Sequence, residues 1–147
     1  MLDASVIARP TGGATIKSAT VVPPAGQVPE YCAVVGAIAP VDKNAPDINF
    51  QVSIRILWNL KSWHSGGGGV NGVIPAVVAN PGRGGVFGIN PPSAPPLLAE
   101  GYALYGSDSG HSAGRGGGHG APPDPATVAA SSAWIGNEEA WRNFAFE

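Results

Sequence analysis

The chain has 147 residues, of which 22 are glycine and 15 proline, about a quarter of its positions, and only 12% are charged. That length allows one domain or part of a larger one, and the 44% of hydrophobic residues supply enough apolar surface for a core, so the composition describes a loop-rich globular piece. A net charge of −2 without a Lys/Arg cluster argues against nucleic acid as a partner, and the absence of a basic amphipathic stretch or of an apolar run near 18 residues argues against a membrane.

Residues 1–29 read as an N-terminal extension. Met1-Leu2-Asp3 opens without a basic segment followed by an apolar stretch, so no signal peptide is visible. From Cys32 to Ile38 the run is short, apolar and partly β-branched, which fits a strand, and Pro40 with Asp42-Lys43-Asn44 then supplies a turn. Ile48 to Ile56 alternates apolar and polar residues, the pattern of a strand with one face on a core and the other wet. Trp58 to His64 suits a strand running into the four-glycine run Gly66–Gly69. The prolines and glycines between Asn80 and Pro96 exclude a helix or central strand there.

Gly101 to Ser107 resumes as a short strand that stops at Asp108-Ser109-Gly110. After the low-complexity stretch Gly114 to Pro125, Asp124-Pro125 can open a short helix. Asn137-Glu138-Glu139 starts a stronger one, with Asn as N-cap, two acids at the positive helix end, and Trp141, Phe144 and Ala145 along one face. That helix reaches Glu147 still apolar and without a Gly or Asn stop, so the chain is expected to end inside an element.

Several motifs invite a chemical reading. Gly67 to Gly72 satisfies G-x-G-x-x-G, but Pro75 and Pro81 interrupt the helix a dinucleotide site needs, and no acid lies between Asp47 and Glu100 to hold a ribose. Gly110-His111-Ser112-Ala113-Gly114 matches the G-x-S-x-G nucleophile elbow. The elbow must enter a helix at once, however, and Arg115-Gly116-Gly117-Gly118 opposes one. The only histidine beyond Ser112 is His119, which precedes Asp124 and so reverses the order of the triad acid and base. Ser112 therefore reads as a solvated loop serine, with a small complete serine hydrolase as the alternative. The glycine run suits an oxyanion hole, because glycine removes the Cβ that would block a backbone N–H from a reacting carbonyl; a flexible linker is the other reading. Cys32 is the only cysteine, and with three scattered histidines it cannot build a structural zinc site; no cofactor is expected in this chain.

Taken together, Cys32–Gly36, Ile48–Ile56, Trp58–Lys61, Gly66–Gly72, Gly101–His111 and Asn137–Ala145 resemble, in order and spacing, the N-terminal part of the tannase and feruloyl esterase family, over about residues 30 to 146. The resemblance implies the first part of an α/β-hydrolase domain at 30–147, β-rich, loop-rich and incomplete on its own, from a secreted or periplasmic enzyme that cleaves small aromatic esters of the gallate and ferulate kind. It implies that Gly67 or Gly68 donates one oxyanion N–H and that Asp108 and His111 support an active-site loop. It places the nucleophilic Ser, its Asp and His, and the calcium site of the lid beyond Glu147, and pairs Cys32 with an upstream cysteine this chain lacks. Leu60 departs from the family's common Trp-Asn-Gly, and Ser112 stands where Gln is common. A noncatalytic β-rich binding module remains the reading from another class.

Overall fold

The computed structural model describes residues 12–64, 72–74, 96–111 and 125–146. Among the described residues, five strands form one mixed sheet in the order β1-β2-β3-β5-β4: β1 (Gly13–Val22), β2 (Tyr31–Ala39), β3 (Ile48–Ile54), β4 (Ser62–His64) and β5 (Ala103–Ser107). The first three pair antiparallel, β3 pairs antiparallel with β5, and β4 pairs parallel with β5. A parallel pair needs a long crossover, and the proline- and glycine-rich stretch between His64 and Ala103 supplies its length.

The alternation in 48–56 is a strand, but it ends at Ile54, and only 62–64 of the Trp58–His64 segment pairs. The polar face of β3 is not wet. Ser53 is fully buried, opposite Ala33 on β2 and Leu104 on β5, with Gln51 and Asn49 half-buried along the same side. β1 lies in the segment read as an extension. It pairs along all of β2 while almost all of its side chains stay exposed, so its hold on the sheet is the backbone ladder, with a register shift between Ile16 and Ser18. Close approach demands glycine at Gly36: a Cβ there would lie 2.4 Å from the Phe50 ring and 2.7 Å from the Thr15 carbonyl oxygen.

Among the described residues, two small cores flank the sheet. Leu98 and Leu104 are buried with Val28, Tyr31, Leu97 and Tyr102 packed around them. At the other end, Ala45, Trp134 and Ala140 are buried against Phe144. The second core joins the sheet to the C-terminal helices α1 (Pro125–Ser132) and α2 (Glu138–Phe146), linked by a 3-10 turn at Ala133–Gly136. Asn137 caps α2 as its sequence predicts, its Oδ1 accepting the Ala140 N–H at 2.9 Å. The buried face is Ala140 with Phe144, one helical turn apart, whereas Trp141 is 49% exposed and Ala145 is exposed. Among the described residues no helix is long and apolar enough to cross a membrane.

The helix N-terminus is clipped to the β2–β3 turn. Glu139 accepts the backbone N–H groups of Val41 and Asp42, and Asn137 Nδ2 donates to Asp42 Oδ2 at 2.7 Å. Asp42 also accepts the Asn44 backbone N–H, and these hydrogen bonds, the Asn44 backbone bond foremost and the Asn137 bond next, hold its carboxyl below the ordinary aspartate value.

Candidate active site at the ends of strands β4 and β5

Parallel pairing of β4 with β5 brings their carboxyl ends to the same edge of the sheet. His64, the last residue of β4, stands in register with Tyr105, and the two rings stack at 4.7 Å between centroids. His64, which precedes the glycine run in sequence, therefore lies level with a point two residues short of the end of β5. Gly67, Gly68 and Ser112 lie outside the described residues. Gly72, which closes the run, is buried with φ of 84°.

Beyond β5 the chain makes a tightly determined turn. Ser109 and Gly110 both adopt left-handed backbone, at φ of 56° and 74°. Such a conformation costs a non-glycine residue about 1–2 kcal/mol, so the surroundings must offset it. The Ser107 hydroxyl accepts the Ser109 N–H at 2.9 Å, Asp108 Oδ1 accepts the Gly110 N–H at 3.0 Å, and the His111 N–H donates to the Asp108 carbonyl at 3.2 Å. Asp108 is 6% exposed and also binds Asn49 on β3: its Oδ1 accepts the Asn49 backbone N–H at 2.9 Å and its Oδ2 accepts Asn49 Nδ2 at 2.7 Å. Three charge-assisted bonds thus hold one buried carboxylate, the kind of bond that is about twice as strong as its neutral counterpart.

The turn delivers His111 into the helical core. The residue is 2% exposed, and its ring stacks on Trp134 at 4.0 Å and meets Phe144 edge-to-face at 5.4 Å between centroids. A Cβ on Gly110 would come within 3.1 Å of Ile48, so the loop lies close against the sheet. Among the described residues no three His, Cys, Asp or Glu side chains group to hold a metal ion.

A family model described as tannase and feruloyl esterase matches residues 32–147. The chain belongs to that family. An uncharacterized esterase of Agrobacterium fabrum is 45% identical over 115 residues, covering 76% of this chain and 20% of that protein, so the chain spans about a fifth of the length of this curated relative.

Of the family-derived positions, Asp108 and His111 are brought to one loop, Asp108 as its brace and His111 as its anchor in the aromatic core. Two contributors were not read from the sequence. Asn49 is an ordinary polar position in a strand, and its partner lies 59 residues away. Trp134 sits in a four-residue 3-10 turn between two helices, too short to carry a periodic pattern of its own. Cys32 is a half-buried free thiol on β2. The Leu60 departure has a backbone signature, since Leu60 takes φ of 66°, the region that suits the family's glycine.

Proposed function

We propose that the chain is the first part of a carboxylic ester hydrolase that cleaves phenolic-acid esters of the gallate and ferulate type, acting outside the cytoplasm, with its nucleophilic Ser and the partner Asp and His beyond Glu147. The observation that carries this reading is the parallel register of His64 with Tyr105, which starts the glycine run and the Asp108–His111 loop from the same end of the sheet. Open α/β sheets bind their ligands at that end. Family membership and the esterase-named relative support the ester as substrate.

In this reading the serine oxygen attacks the ester carbonyl, the histidine takes its proton and returns it to the departing alkoxide, and water then releases the acid from the acyl-enzyme. The oxyanion is held by two main-chain N–H groups, one of them from Gly67 or Gly68. Asp108 and His111 take no part in the proton transfers. They fix the loop beside the carbonyl.

The test is hydrolysis of methyl gallate with fluorophosphonate labelling. The complete protein is expected to turn over the ester and to be labelled on a serine beyond Glu147, while residues 1–147 alone turn over no faster than their Gly67→Val variant. Labelling of Ser112 in the isolated chain would replace this reading with that of a small complete hydrolase. Absence of labelling and turnover in both proteins would favour the noncatalytic module.

A further inference from the structure

We propose that Asn49 is a positioning residue for this site, orienting the Asp108 carboxylate that shapes the loop carrying His111. The inference rests on the reading of that loop as part of the ester site. Asn49 meets Asp108 through three bonds: backbone N–H to Oδ1 at 2.9 Å, Nδ2 to Oδ2 at 2.7 Å, and its carbonyl accepting the Asp108 N–H at 3.0 Å. Its remaining polar atom, Oδ1, accepts Lys17 Nζ at 2.7 Å, from the irregular point of β1.

The amide therefore lies between an ammonium and a carboxylate, with its oxygen toward the cation and its nitrogen toward the anion. Both charges favour the same one of the two amide orientations. With both carboxylate oxygens engaged, Oδ1 is aimed at the Gly110 N–H and the two left-handed residues are held in place. A carboxylate at position 49 would keep the size of the side chain and the attraction to Lys17, but would set two anions against each other.

That geometry makes a charge swap informative. Asn49→Asp alone is expected to speed amide exchange at Gly110 by about tenfold or more, the scale of one lost charge-assisted bond. Adding Asp108→Asn restores a donor between the two positions, leaves an oxygen for the Asn49 and Gly110 backbone N–H groups, and gives Lys17 a carboxylate. The double variant is expected to return Gly110 to within about threefold of the parent, and kcat of the complete enzyme on methyl gallate to follow the same order with KM little changed. If Asn49→Asp does not yield folded protein, Asn49→Ala serves as the single variant. A double variant that exchanges as fast as the single one overturns the proposal. Exchange that follows the expected order while kcat is indifferent overturns the positioning role and leaves ester hydrolysis standing. A complete parent protein that cleaves no aromatic ester overturns the functional reading, and with it any catalytic purpose of the clip.

Discussion

The two turns at opposite ends of β5 are built on the same plan and treated differently. Each places a residue other than glycine in left-handed backbone, Ser109 at the carboxyl end and Leu60 in the loop entering β4, and each accompanies it with a left-handed glycine, Gly110 or Gly101. Each is braced by a short polar side chain: Asp108 holds the first, and Asn59 the second, donating to the Glu100 carbonyl at 2.9 Å and accepting the Lys61 N–H at 2.9 Å. The carboxyl-end turn is buried, with Ser109 3% exposed and bonded within the turn. The other leaves Leu60 79% and Leu57 72% exposed. Fold maintenance requires only that both turns close. The additional burial and charge at the carboxyl end are concentrated where the ester site is proposed.

The largest effect should come from Asp108→Ala, which strands the buried Gly110 N–H and the half-buried backbone and Nδ2 donors of Asn49 on β3, and is expected to cost about 3 kcal/mol or more in urea unfolding. Asn59→Ala, its counterpart, should cost about 1 kcal/mol, because water can replace its partners. Equal losses in the two variants would erase the contrast. Trp134→Ala removes the surface on which His111 stacks and should cost about 3 kcal/mol, with loss of the near-ultraviolet signal from the aromatic cluster. Leu60→Gly is expected to stabilise by about 1 kcal/mol, relieving a strained backbone and an exposed apolar side chain together. Ser109→Gly should gain less, because Ser109 is 3% exposed and deleting its side chain empties space in a packed turn. A destabilised Leu60→Gly protein would mean that the leucine makes contacts worth more than its strain.

The smallest effect is in pH. Because the Asp42 carboxyl is held below its unfolded value, its contribution is complete above the ordinary aspartate range and is lost as pH falls through the lowered folded value. Asp42→Asn should therefore lower stability near pH 7 and matter progressively less as the solution is acidified into that range. A constant difference across the titration would contradict the bonds assigned to Asn44 and Asn137.

What the sequence made legible were the features carried by local rules. The apolar run of β2, the alternation in β3, the stop after Ser107 and the Asn137 cap all follow from residue type and spacing. β1 is not legible because an edge strand with exposed side chains leaves no alternation, and its signal is reduced to the β-branched Thr15, Ile16, Thr20, Val21 and Val22. The burial of Ser53 is not legible locally, because it depends on Leu104, about a third of the chain away. At the site, resemblance singled out Asp108 and His111, but no spacing rule could pair Asp108 with Asn49 or His111 with Trp134. Those partnerships exist only once β3 lies against β5 and the helices close over the turn.

The central claim is that the glycine run aims a main-chain N–H at the reacting ester oxygen. Its most direct test is kcat for methyl gallate in the complete protein bearing Gly67→Val or Gly68→Val. A fall of about 10²–10³ in at least one variant, with KM little changed and the fold intact by circular dichroism, is the expected result for loss of one oxyanion donor. Full turnover in both would show that the run is only a connection between β4 and the rest of the chain.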